Sequence, residues 1–152
     1  MSGIQVRSFD EIEGAVGESA TGEWLSVDQR RIDDFADATS DHQWIHVDPA
    51  RAAAGPFGTT VAHGFLLLSL IPELTSRMWD VPDVLFVVNY GLDRVRFVSA
   101  VPVDSRIRAV STVRDVTRTP MGARVSVEVV LEREGAGKPA VVAETIVLFV
   151  PA

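Results

Sequence analysis

The spacing of apolar residues changes character once along the chain, near residue 83. Before that point they recur at helical intervals; after it they alternate with polar residues as strands do. Gly22 to Val27 (GEWLSV) reads as an opening strand. Asp28 then stands where an N-cap is wanted. The short helix behind it carries Ile32, Phe35 and Ala36 on one face and Arg30, Arg31, Asp33 and Asp34 on the other. A further short helix starts at Asp48-Pro49, since proline suits a first helical turn, and runs through Ala54 until Gly55-Pro56-Phe57-Gly58 stops it. The segment from His63 to Trp79 differs in kind. Phe65, Leu66, Leu67, Leu68, Leu70, Ile71, Leu74 and Met78 lie all around a helical wheel, which marks a buried helix. At ~1.5 Å per residue it would be about 25 Å long, and Pro72 should bend it by removing a hydrogen bond.

Four long extended runs follow: Val84 to Val98, Val103 to Thr117, Gly122 to Glu132 and Val141 to Val150. Val125, Val127, Val129 and Leu131 alternate with Ser126, Glu128 and Glu132. Thr119-Pro120-Met121-Gly122 and Glu134-Gly135-Ala136-Gly137-Lys138 carry turn chemistry, so the last three runs should be antiparallel neighbours. Gly91 inside the first run predicts a bulge or bend. Strands of ten or more residues span over ~33 Å, enough to wrap the apolar helix. The expected architecture is α+β, a curved antiparallel sheet around one long central apolar helix, in a single domain covering residues 1–152. The open edges of such a sheet favour self-association.

Composition narrows the function. Of 152 residues, 47% are apolar and 23% charged, an ordinary globular balance. The formal net charge of −7 has the wrong sign for a general phosphate-backbone binder, so no nucleic-acid partner is expected. The absence of cysteine excludes a disulfide framework, a Cys-based zinc site and a thiol nucleophile. Met1 to Ala20 carries Asp10, Glu11, Glu13 and Glu18 without a signal-like apolar core, and no apolar run approaches membrane-spanning length. The expectation is a soluble, cytoplasmic protein.

All three histidines, His42, His46 and His63, fall in one window with Asp41 and Asp48. Carboxylate and imidazole are the side chains best suited to moving protons near neutral pH. Asp41 and His46 are five residues apart, about 140° around an ideal helix, so they point apart on a helix and converge only in a turn. Ser40-Asp41 and the extended bias of Asp48 before Pro49 make non-helical backbone credible. The plainer alternative has Asp41 capping a helix and the histidines on the surface. A metal reading would use the i, i+4 spacing of His42 and His46, completed by Asp48 or His63. That spacing helps only on a helix, and the helix signals here are weak, so no metal is expected.

Downstream, Thr59-Thr60-Val61-Ala62-His63-Gly64-Phe65 places a glycine in the first turn of the apolar helix. Helix N-termini present unpaired N–H groups and a partial positive charge, and glycine lets a ligand carbonyl come close. Such a site suits an oxyanion. Gly64 serving only tight packing is the alternative.

Read jointly, Phe35 to Pro49, the G-P-F-G-T-T-V-A-H-G segment, the apolar helix, N-Y-G-L-D-R-V-R-F and P-V-D-S-R-I-R-A resemble the MaoC-like dehydratase family. Within it the chain is similar to the (R)-specific enoyl-CoA hydratases. Their motif runs Asp, any residue, Asn, Pro, an aliphatic residue, His. Asp41, Ile45 and His46 match, while Gln43 and Trp44 replace the Asn-Pro, a spelling similar to the nodulation-protein-N-like branch. The resemblance implies a hot dog fold, a homodimer, and hydration of trans-2-enoyl-CoA to the (R)-3-hydroxyacyl thioester with no cofactor, CoA being part of the substrate. It implies catalytic roles for Asp41 and His46, with Gly64 polarising the thioester carbonyl. His63 would line the site or pack at the helix entrance, and Ser69 would touch substrate or bond back to its own backbone. Asn89, and Arg51, Arg77, Arg94 and Arg96 as phosphate partners, are weaker candidates.

Two other functions compete. A hot dog thioesterase often sets an acidic residue within the central helix; here that helix holds only Glu73, beyond Pro72. A non-catalytic acyl-thioester-binding subunit would not need both Asp41 and His46.

Overall fold

The computed structural model describes residues 3–152. In chain order the elements are β1 (Ile4–Gln5), a 3₁₀ helix (Phe9–Ala15), β2 (Ser19–Thr21), β3 (Leu25–Val27), α1 (Gln29–Thr39), α2 (Trp44–Val47), α3 (Pro49–Ala53), α4 (Gly64–Ser69), α5 (Ile71–Thr75), β4 (Trp79–Asp80), β5 (Val84–Phe97), β6 (Ser105–Thr119), β7 (Gly122–Arg133) and β8 (Val141–Pro151). The four long strands fall where alternation places them. They join in the order β2-β6-β7-β8-β5, with β3 also on β6, and every pair in this sheet is antiparallel. One face is sealed: Ile107, Ala109 and Val113 from β6, Val125, Val129 and Leu131 from β7, and Val141 and Ala143 from β8 are buried. The register of β5 on β8 slips between Asn89 and Gly91, the irregularity expected of that glycine. The opening strand is shorter than its sequence pattern, Leu25–Val27, and β2 precedes it.

The apolar segment lies against the sealed face in two pieces. The expected bend is realised as a break. α4 ends at Ser69, Leu70 donates back to Leu66 and Leu67, and α5 begins at Ile71 with Pro72 in its first turn. Proline has no N–H to carry the α4 ladder onward, but it is welcome one residue into a new helix. The helix therefore ends at Thr75, and Trp79 belongs to β4. Leu66, Leu67, Leu70, Ile71, Leu74 and Met78 join the core, whereas Phe65 is 67% exposed and rests edge-on against Phe97. No helix among the described residues is long and apolar enough to cross a membrane.

Asp28 caps α1 as its position suggests, accepting from the Arg31 N–H at 2.9 Å, and Asp48 caps α3 through Arg51 at 3.0 Å. The 3₁₀ helix, which the apolar pattern does not announce, is tied to β6 by one side chain. Arg118 reaches both carboxylate oxygens of Glu13 at 2.5 and 2.7 Å, donates to the Phe9 and Asp10 carbonyls, and lies over the Phe9 ring. The bidentate bond holds the Glu13 carboxyl at about 2. A carboxyl lowered in the fold adds stability above its unfolded value, and that stability is lost as pH falls toward 2. Arg118→Leu is therefore expected to cost about 1 kcal/mol at pH 7, allowing for solvent screening of a half-exposed pair. The gap to the native chain should narrow between pH 5 and pH 2 in urea titrations; a pH-independent gap would remove Glu13 from the account.

Candidate active site

One chain reversal and a short helix bring Asp41 and His46 together. α1 ends at Ser40, whose positive φ of 62° turns the backbone sharply and leaves Asp41 in the following loop. The next three residues enter α2, so His46 sits on a helical turn while Asp41 does not. The expectation of non-helical backbone thus holds for Asp41 and fails for His46, because residues 44–47 close one hydrogen-bonded turn, with Asp48 N–H donating to Trp44. Asp41 does not cap that turn with a good bond; its Oδ1 lies 3.4 Å from the Gln43 N–H. Trp44, which stands in the motif where proline is usual, packs against Gly55 and under the Arg51 guanidinium, 4.4 Å from the ring centre.

His46 is buried, and both its backbone and its ring are held. Gln29 Nε2 donates to the His46 carbonyl at 2.7 Å and Gln29 Oε1 accepts from Thr60 at 2.6 Å. The His46 Nδ1 lies 2.7 Å from the Val61 carbonyl, which can only accept, so Nδ1 carries the proton and Nε2 keeps its lone pair. Nε2 makes no hydrogen bond among the described residues. By the same logic His63 Nε2 donates to the Asp41 carbonyl at 3.0 Å, leaving a buried, unpaired Nδ1. The two imidazoles stack with centres 3.9 Å apart and planes 23° from parallel, and Phe35 closes over His63 at 4.9 Å. His63 therefore fixes the positions of Asp41 and His46 by packing and by one backbone bond.

Asp41, His46 and His63 each bring one ligand-type atom within 4.8 Å of the others, which makes them the metal candidates here. Near-parallel stacked rings aim their in-plane lone pairs side by side, not at one point, so the trio fits a tetrahedral cage poorly. The trio proposed from spacing is not assembled: His42 faces the other way and bonds Asp37 at 2.8 Å, and Asp48 is spent on its cap.

Burial lowers the His46 pKa below the ordinary histidine value; the Val61 bond and Asp41 oppose this and the neighbouring His63 adds to it. The native ring thus prefers to stay neutral, and the unfolded chain takes up the proton first as pH falls. Its contribution to stability is present above about pH 6.5 and is lost in acid. An NMR titration is expected to show the His46 ring titrating below 6.5; a higher midpoint would contradict the burial argument.

Gly64 opens α4 directly after His63, and its N–H meets no backbone acceptor among the described residues. A Cβ there would come within 3.1 Å of the Phe97 ring, so the glycine keeps room between the helix start and that half-exposed phenyl. Ser69 Oγ donates to the Phe65 carbonyl at 2.7 Å and lies at the far end of α4, away from the Asp-His cluster. There it borders a cavity of about 430 Å³ between α4, α5 and the sheet. Glu73, the carboxylate a thioesterase would need, is exposed on α5. Gln29, Thr60, the Val61 carbonyl and Phe97 were not legible as site residues. Thr60, Val61 and Phe97 lie inside quoted segments, but their roles depend on contacts with Gln29, His46 and Gly64 that no local spacing shows.

The MaoC like domain model matches residues 11–135. A 3-hydroxyacyl-thioester dehydratase Z from Mycobacterium tuberculosis is 48% identical over 150 residues, 95% of this chain and 99% of that protein. Nodulation protein N from Rhizobium leguminosarum is 43% identical, covering 95% and 93% of the two chains. Among solved structures, an R-hydratase from Pseudomonas aeruginosa superposes with a TM-score of 0.76 at 25% identity, over 95% of this chain and 86% of that one.

Proposed function

The chain belongs to the MaoC-like domain family, and from that premise we propose that it hydrates trans-2-enoyl-CoA reversibly to (R)-3-hydroxyacyl-CoA. It is a hydro-lyase in this reading, as the names of its dehydratase and hydratase relatives suggest. The observation that carries the mechanism is the fixed tautomer of His46: Nδ1–H is committed to Val61, which leaves Nε2 a bare lone pair, on a ring with one nitrogen within 4.8 Å of an Asp41 carboxylate oxygen. A water held between them gives its proton to Nε2 while its oxygen bonds C3. The C2=C3 π pair moves toward the thioester and then takes up a proton at C2 from the Asp41 carboxylic acid, and the proton on Nε2 passes to the Asp41 carboxylate to restore both groups. The Gly64 N–H donates to the thioester oxygen as negative charge builds there. This reading uses no cofactor: the acid and the base are side chains, and CoA is part of the substrate.

We assign the native assembly as a homodimer. Among the described residues β5 is a sheet edge paired only to β8, and it leaves Leu85, Phe86, Val87, Val88, Tyr90 and Leu92 exposed. Pairing with a second copy would hide that edge.

The deciding experiment adds purified protein to crotonyl-CoA and follows enoyl absorbance, with chiral analysis of the product. Loss of absorbance with (R)-3-hydroxybutyryl-CoA is the expected result. Release of free CoA thiol, or the (S) product, would overturn the assignment.

A further inference from the structure

The 430 Å³ cavity lies against α4, α5 and the concave face of the sheet, and its lining is mixed. Leu68, Ile71, Val127 and Val129 make it apolar, but Ser69, Thr75, Asn89, Ser111 and Thr145 also line it. The hydroxyl hydrogens of Ser69, Thr75 and Thr145 are spent on the Phe65, Ile71 and Val127 carbonyls, so these three oxygens remain only as acceptors. Ser111 is different. It is fully buried at the middle of β6, and its Oγ has no hydrogen-bond partner. A buried hydroxyl without a partner is destabilising by roughly 1–3 kcal/mol relative to one that is paired, and alanine would fit the same position without that penalty. A hydrocarbon chain filling the cavity would leave it unpaired still.

We propose that this cavity receives an enoyl chain bearing an oxygen function, most suitably a hydroxyl, which accepts from Ser111 and donates to one of the neighbouring oxygens. The inference rests on the hydratase reading. A thioester held at Gly64 with its chain laid along α4 travels roughly 8 Å, five steps at ~1.5 Å each, before it reaches the Ser69 end where the cavity lies. A four-carbon chain ends short of that point; a medium-length chain enters it. Ser111 is then a specificity-determining residue, remote from the bond-making atoms.

The test compares crotonyl-CoA, trans-2-octenoyl-CoA and its ω-hydroxy counterpart with native protein and Ser111→Ala. The expected result is a preference of about tenfold in kcat/KM for the ω-hydroxy chain over plain octenoyl, the gain of one hydrogen bond. Ser111→Ala should erase that preference, leave crotonyl-CoA turnover unchanged, and melt no lower than the native chain. Equal kcat/KM for the two octenoyl substrates in native protein overturns the proposal while leaving the hydratase reading intact. So does a preference that survives in Ser111→Ala. Failure to hydrate any of the three would remove both.

Discussion

Asp41→Asn and His46→Gln are each expected to lower kcat for crotonyl-CoA by at least ~10²-fold, with the double variant little worse than either alone. Each substitution keeps the size of the side chain and removes its ability to exchange a proton. The His46 variant tests the geometry most directly. A glutamine amide can still donate to the Val61 carbonyl that now receives Nδ1–H, so the loop keeps its anchor while the basic Nε2 is gone. Stability should therefore change little, and a melting curve near the native one separates lost chemistry from lost fold. Turnover close to native in both single variants would end the proposed mechanism. It would also point back to a binding subunit that happens to carry an acid and a base.

The second large effect concerns a backbone hydrogen. Gly64→Pro should lose ~10²–10³ of kcat relative to Gly64→Ala, the usual consequence of deleting one oxyanion donor. The comparison isolates the N–H. Both variants place a Cβ against Phe97, a half-exposed ring with room to move, and only proline removes the hydrogen. Proline is tolerated at the first residue of a helix, and His63 already has the extended backbone, φ −60° and ψ 139°, that a residue before proline requires. Equal activity in the two variants would take Gly64 out of the chemistry and leave it a packing role.

Several features follow from residue order alone. The long strands, their antiparallel succession and the irregularity at Gly91 are local consequences of period-two alternation and turn residues, so they can be read one segment at a time. The Asp28 and Asp48 caps are equally local, each an oxygen placed beside the N–H groups it satisfies. Asp41 and His46 were recognisable as a pair because a motif holds them five residues apart.

Tertiary structure decided the rest, because it depends on contacts between segments far apart in sequence. Spacing could not tell which nitrogen of His46 carries the proton; the Val61 carbonyl, fifteen residues away, settles that. His42 and His46 look equivalent in the sequence, yet one is drawn out to Asp37 and the other is buried under His63. Ser111 reads as an ordinary polar interruption of a strand until the fold buries it in the cavity wall with its hydroxyl unpaired. Local pattern fixes what each segment can become, since that is a matter of backbone preference and of which side chains share a face. Packing fixes which groups are desolvated and paired, and proton chemistry is governed by those two conditions.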